Sequence, residues 1–241
     1  ARVISLTKPV NNSTLETAND SLSVSSLITY FSAQLTAYQD EKYADEFLTT
    51  IKPFIIWLGK AKLDVDYFGC KAARILYQAM AIKDEYEVAR LLTSTDFRKK
   101  VRDISGANAK IKYHLAPPFL SWIKNNDGYP RKFQFGGWLT CILRGLGRMS
   151  YVRGKWYDPL NYGHAKQQEQ RHKRDVIEWF KKLVDMPVHC PANQLDEVLD
   201  LMLSIRGYGY IKEQRYRSAC PQIRSKLNNM RDSFPQIEAA V

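Results

Sequence analysis

The sequence predicts a mainly α-helical fold: a single helical domain that carries a small two-stranded antiparallel β element. Apolar residues recur at steps of three and four along most of the chain, which is the helical period. That period changes to strict alternation only between Ala109 and Phe135, as in a strand with one buried face. A length of 241 residues with 45% hydrophobic content is ample for a core. We therefore expect a linker or extended arm at 1–25, a helical domain at 26–232 and a tail at 233–241.

The first helical segment is predicted to begin after a capping serine, Ser25 or Ser26. Apolar residues then share one face as far as Tyr38, and the same spacing continues to Ile51 across a short polar break. Proline has no backbone N–H, so Pro53 is expected to open or bend the segment that follows.

The central helix is predicted to run from Ala72 to Leu92, with two adjacent apolar stripes and hence burial over much of its circumference. Its second half nevertheless holds five charged residues: Lys83, Asp84, Glu85, Glu87 and Arg90. An unpaired buried charge costs several kcal/mol, so these side chains either form a buried network or emerge into solvent. If they are buried, we expect Asp84 or Glu87 to pair with Arg206 or Lys212.

The β element is predicted from two alternating runs, one around Tyr113 and Leu115 and the other at Phe133 and Phe135. A two-stranded sheet on its own is only marginally stable in water, so we expect these strands to pack against the helices. His114 falls on the strand face opposite its two neighbours, towards either solvent or a cleft. It is the candidate cleft residue of the chain.

The C-terminal half reads as helices joined by loops. A short apolar helix covers 138–149, where Gly145 and Gly147 either allow close packing or let the helix fray. A loop rich in aromatic residues is predicted at 154–163, and a long charged helix and two further helices follow it. Pro221 should bend or restart the last of them.

The net charge of +11, with a pI near 9.4, suggests two kinds of partner. Clustered Lys and Arg bind nucleic acid by releasing counterions, but the basic residues here are spread through the chain and interleaved with acids. This distribution argues against nucleic acid as the partner, and an acidic domain or subunit would equally account for the charge. A stand-alone basic module that binds nucleic acids or other anions is the alternative function.

Motifs for common catalytic and metal sites are absent from the sequence. It contains no P-loop, no H-E-x-x-H and no G-x-S-x-G. The four cysteines, Cys70, Cys141, Cys190 and Cys220, stand far apart, so we expect no metal site. Isolated thiols suit a reducing cytoplasm, and no apolar run is long enough to span a membrane. An independent enzyme that uses the His114 region is a third possibility.

Four stretches, taken together in order, resemble one known family. They are LTAYQD at 35–40, KDEYEVARL at 83–91, HLAPP at 114–118 followed by PRK at 130–132 and FG at 135–136, and IRGYG at 205–209 with KE at 212–213. In this order and at this spacing they resemble the C-terminal domain of the large, fused indolepyruvate ferredoxin oxidoreductases, over about 23–231 of the chain.

The resemblance implies a part of an oxidoreductase that lacks the active centre. Enzymes of that family use thiamine diphosphate to decarboxylate aryl 2-oxoacids oxidatively to acyl-coenzyme A, and they pass electrons through iron–sulfur clusters to ferredoxin. Those steps belong to domains upstream of this one, and this sequence has neither a thiamine diphosphate motif nor a cysteine run for a cluster. The absence of an initial Met and the linker-like start agree with a domain of a longer polypeptide.

We therefore expect a non-catalytic accessory domain, without a cofactor of its own, that docks on the catalytic domains of the same polypeptide or on its subunits. Coenzyme A and ferredoxin are partners of the parent enzyme. The resemblance assigns no catalytic residue. The charged motif positions form a candidate structural or docking cluster: Lys83, Asp84, Glu85, Glu87, Arg90, Arg206, Lys212 and Glu213.

Overall fold

The computed structural model describes residues 23–106, 111–115, 131–158, 160, 164–188, 190–207 and 209–232. The helices are α1 (Val24–Tyr38), α2 (Glu41–Lys60), α3 (Val65–Met80), α4 (Glu85–Thr93), α5 (Thr95–Ser105), α6 (Leu139–Arg148), α7 (His164–Val184), α8 (Ala192–Ser204) and α9 (Tyr210–Asp232), with a 3₁₀ helix at Met149–Val152. The strands are β1 (Tyr113–Leu115) and β2 (Phe133–Phe135). The predicted fold class, mainly α with a two-stranded antiparallel sheet, is confirmed.

The chain divides into two compact units where we expected one domain over 26–232. The described residues of 1–82 and 163–241 form the bundle unit, and those of 83–162 form the insert unit. The arm before Ser23, the tail at 233–241 and the predicted connection between the strands at 116–130 lie outside the described residues. Within the described part of the chain, no helix is long and apolar enough to span a membrane.

The first three helices of the bundle unit are each capped at the N-terminus by a side chain. The hydroxyl of Ser23, rather than that of Ser25 or Ser26, caps α1. Asp40 caps α2 by accepting a hydrogen bond from the backbone N of Tyr43 at 2.8 Å, so the first helix ends and does not continue as predicted. Pro53 lies inside α2, which runs through it.

The core of the bundle unit joins the first three helices to the C-terminal ones. Helices α1, α2 and α3 pack on one another, α7 packs on α2 and α3, and α8 packs on α3 and α9. Large aromatic side chains from different helices meet there: Phe54 and Phe180 contact edge to face with centroids 5.2 Å apart. The indole N–H of Trp57 donates to the carbonyl of Met186 at 2.9 Å, which satisfies a buried polar group.

The single central helix predicted over 72–92 is wrong, because two helices occupy that stretch. Helix α3 ends at Met80, and α4 begins at Glu85. The carboxylate of Asp84 accepts a hydrogen bond from the backbone N of Glu87 at 2.8 Å and caps α4. An Asp side chain can accept hydrogen bonds from nearby backbone N–H groups, so it favours the start of a helix over its interior. The helical stretch is therefore interrupted before Asp84.

The insert unit combines α4, α5, α6 and the β hairpin. Tyr113 pairs with Phe135 and Leu115 with Phe133 in antiparallel register. Helix α6 packs closely on α4, and a Cβ on Gly147 would lie 3.1 Å from the backbone N and Cα of Arg90. The close-packing alternative therefore holds for this glycine.

Candidate docking surface

A buried ion pair forms the centre of the insert unit. The guanidinium of Arg153 donates from Nε to Oδ2 of Asp84 at 2.5 Å and from Nη2 to Oδ1 at 2.8 Å. Each side chain is only 4% exposed. Of the two alternatives left open for Asp84, the buried one is therefore present, but its partner is Arg153. The pairing that we expected with Arg206 or Lys212 is corrected accordingly.

A second carboxylate, that of Asp158, extends this centre. Its Oδ1 accepts a hydrogen bond from the hydroxyl of Tyr86 at 2.8 Å, and its Oδ2 accepts one from the backbone N of Gly154 at 2.9 Å. Asp158 and Tyr86 are both fully buried. Burial, together with the hydrogen bond to Asp158, raises the pKa of Tyr86 well above its ordinary value, so the phenol stays protonated as a donor.

These contacts fix both ends of one loop onto α4. Arg153 is held by the residue that caps α4, and its guanidinium lies 5.7 Å from the ring centroid of Tyr86. Asp158, five residues later, is held by the Tyr86 hydroxyl. The chain between Arg153 and Asp158 is therefore anchored at its two ends.

Between its anchors the loop presents aromatic side chains to solvent. Trp156 is 89% exposed and Tyr157 46%. Tyr151, two residues before the first anchor, is 56% exposed. The Nζ of Lys155 lies 5.7 Å from the ring centroid of Tyr151 and 5.8 Å from that of Tyr157, within cation–π range. We call residues 151–157 the aromatic loop. Trp and Tyr supply much of the binding energy in protein interfaces, so this loop is a candidate docking surface.

The rest of the insert unit adds apolar exposure and positive charge. Trp138 is 62% exposed and Ile142 55% exposed on the α6 side of the hairpin. The sequence from 83 to 162 holds 15 Lys and Arg against 7 Asp and Glu, so this unit carries +8 of the net +11. The basic character of the chain is thus concentrated here.

Four other residues of the predicted charge cluster, Glu87, Arg90, Lys212 and Glu213, form ion pairs. Glu87 accepts two hydrogen bonds from Arg90 along α4, at 2.8 and 2.7 Å. Lys212 pairs with Glu169 at 2.5 Å, and Glu213 accepts a hydrogen bond from the next turn of α9.

The four remaining predicted residues show different degrees of burial. Lys83 and Arg206 are exposed, and Glu85 is half-buried. His114 is exposed on β1, opposite Gln134, as the solvent alternative for this residue predicts.

Sequence reasoning missed the two residues that anchor the loop, Arg153 and Asp158. It recognised the aromatic stretch only as a loop. The usable signal was composition, because Trp156 and Tyr157 stand directly after a lysine and before an Asp–Pro pair. Aromatic residues are enriched in the cores of protein interfaces.

The described residues contain no group of three or more His, Cys, Asp or Glu side chains that could hold a metal ion. All four cysteines have free thiols: Cys70 is partly buried, Cys141 is exposed, and Cys190 and Cys220 are buried. Burial raises the pKa of the Cys190 thiol to about 11, which makes this thiol a poor nucleophile at neutral pH.

The fold and the surface define a mainly helical protein that presents an anchored, exposed aromatic loop on a basic unit. The chain belongs to a family of unknown function, DUF6537, which it matches over residues 24–225. No curated protein and no solved structure matches it.

Proposed function

We propose that this chain is a non-catalytic, cytoplasmic accessory domain that docks on the catalytic domains of a 2-oxoacid:ferredoxin oxidoreductase of the indolepyruvate type. The aromatic loop carries the proposal: large aromatic side chains stand exposed on a loop whose two ends are held by buried carboxylates. The resemblance of the four sequence stretches to that enzyme family supplies the partner.

Anchoring makes the loop suitable for docking. A loop that is ordered before binding loses less conformational entropy when its partner arrives. Exposed aromatic rings then gain affinity by leaving water, and Lys155 adds a charge for an acidic counterpart. Thiamine diphosphate, the iron–sulfur clusters, coenzyme A and ferredoxin remain with the catalytic domains of the parent in this proposal.

Calorimetric titration tests the proposal. The chain is titrated into an indolepyruvate ferredoxin oxidoreductase from which the C-terminal domain has been removed. We expect saturable binding that Trp156→Ala weakens by about 30-fold or more, the scale of an interface hot spot. The matched control is Tyr30→Ala on α1, which removes another exposed aromatic side chain, 41% exposed, and should change the affinity less than about two-fold. Absence of binding, or an equal loss in both variants, would contradict the proposal.

The concentration of charge in the insert unit favours a second candidate function, binding of nucleic acids or other anions. The two functions differ in their response to random duplex DNA at physiological salt. Docking to a protein predicts binding no tighter than the non-specific range of about 10⁻⁴–10⁻⁶ M. A clearly tighter constant that falls steeply with added salt would favour the second function.

A further inference from the structure

The first half of α9, residues 210–220, is delimited by backbone features that suit movement, and we call it the strap. Gly207 and Gly209 precede it with φ of 114° and 55°, in the region that favours glycine. Pro221 follows it inside the helix. Because proline has no N–H, the carbonyl of Arg217 lacks its usual helical hydrogen bond at that point.

Polar contacts hold the N-terminal part of the strap. The buried apolar residues of α9 all come at or after Ala219, and the buried residue before them is Lys212. Lys212 pairs with Glu169 of α7 at 2.5 Å, and the hydroxyl of Tyr216 donates to Asp175 of the same helix. Segments with little apolar burial open at a lower free energy than the packed core.

A buried histidine lies in the seam between α7 and the strap. His172 is 4% exposed, and its ring lies 5.5 Å from that of Tyr216 in an edge-to-face arrangement. Neither ring nitrogen has a hydrogen-bond partner among the described residues. Burial, and then the positive charge of Lys212, lower the pKa of His172 to about 3. The imidazole is therefore neutral at pH 7 and resists protonation while the strap is closed.

Charged and titratable side chains lie along the helices that pack on α7. Lys212, Tyr216 and Cys220 of α9 lie along the strap, and Glu169 and Asp175 flank His172 on α7 itself. On α2, Glu46 and Tyr43 face the next residue, Lys173. On α3, Tyr77 stacks on Phe31, and Lys71 pairs with Asp196 and Asp200. Burial raises the pKa of the Cys70 thiol, and the nearby charge of Arg74 partly offsets that rise.

We propose that the strap is an acid-released element, in which protonation of the solvated His172 imidazole holds residues 210–220 away from α7. An imidazolium cannot return to the seam, because burial would remove its hydration and place it beside the ammonium of Lys212. The inference is independent of docking by the aromatic loop. Release would expose Glu169 and Asp175 together with the charged start of α9, which the sequence resemblance singled out.

The sign of the pH dependence follows from the lowered pKa. Above the ordinary histidine pKa of about 6.5, His172 is neutral in both states and the closed strap keeps its full stability. As the pH falls below that value, His172 takes up a proton in the open state, whereas in the closed state it stays neutral down to about pH 3. Opening therefore becomes more favourable between pH 6.5 and pH 3.

Hydrogen–deuterium exchange of the whole chain, corrected for the intrinsic pH dependence of exchange, tests the strap. Between pH 7 and pH 5 we expect protection of amides in 210–218 to fall about 25-fold by this linkage, while amides in 222–232 keep theirs. His172→Phe should abolish the fall, whereas His114→Phe, at an exposed histidine, should leave it unchanged.

Two outcomes would overturn the proposal. One is an unchanged protection of 210–218 in the unsubstituted protein, a result that does not depend on any variant folding. The other is an equal loss of protection in 222–232, which would mean that the whole helix opens and no separate strap exists.

Discussion

Truncation of Arg153 is expected to destabilise the insert unit strongly. Arg153→Ala leaves the carboxylate of Asp84 buried, with its side chain 4% exposed and without its cation. Breaking a buried ion pair by removing one partner typically costs about 3–5 kcal/mol, because the remaining charge is uncompensated. We expect a loss in that range for the free energy of unfolding of the insert unit.

Two further losses in the free energy of unfolding can be predicted for the same ion pair. Asp84→Ala also removes the cap of α4, which is worth about 1 kcal/mol, so its loss should be the larger of the two. In the double variant no charge is left unpaired, so its loss should be smaller than the sum of the single losses by about 1–3 kcal/mol.

Urea unfolding followed by far-ultraviolet circular dichroism measures these losses. The control pair is Lys182 with Glu178, an i,i+4 pair on α7 whose side chains are 48% and 59% exposed. Alanine at either control position should cost at most about 1 kcal/mol. Losses below about 1 kcal/mol for Arg153→Ala and Asp84→Ala that simply add in the double variant would mean that this pair is not a buried anchor.

Further predictions concern packing, hydrogen bonding and cofactors. Gly147→Ala should destabilise the contact of α6 with α4, because its Cβ would meet the Arg90 backbone at 3.1 Å; Gly145→Ala, with nothing within 4 Å, should be neutral or stabilise by about 0.5–1 kcal/mol in thermal melts. Tyr86→Phe removes a donor from the buried Asp158 and should cost about 1–3 kcal/mol in urea melts, whereas no change would mean that the hydroxyl is not an anchor. The isolated chain should neither bind thiamine diphosphate in calorimetry nor reconstitute an iron–sulfur cluster with visible absorption. Stoichiometric binding of either group would disprove the non-catalytic assignment.

Helical periodicity predicted the fold class because most buried residues lie on amphipathic helices. It could not locate the break at 81–84, since apolar spacing continues from α3 into α4 across the gap. The break depends on whether the Asp84 carboxylate bonds to the backbone of its own segment or points elsewhere. That choice is made by tertiary contacts, which periodicity does not contain.

The anchor was harder to predict for a related reason. Asp84 and Arg153 are 69 positions apart, and Arg153 lies in a segment without periodicity. Many basic residues could have been chosen as its partner. The sequence left open whether these charges are buried or solvated, and only the folded chain showed that Asp84 is buried and which cation pairs with it.

The footprint of the partner on this chain tests the central claim most directly. Hydrogen–deuterium exchange is compared for the chain alone and for the chain bound to the catalytic remainder of an indolepyruvate ferredoxin oxidoreductase. We expect new protection in the aromatic loop, residues 151–157, on binding. Protection confined to the bundle unit, or none in any segment at saturating partner, would contradict it.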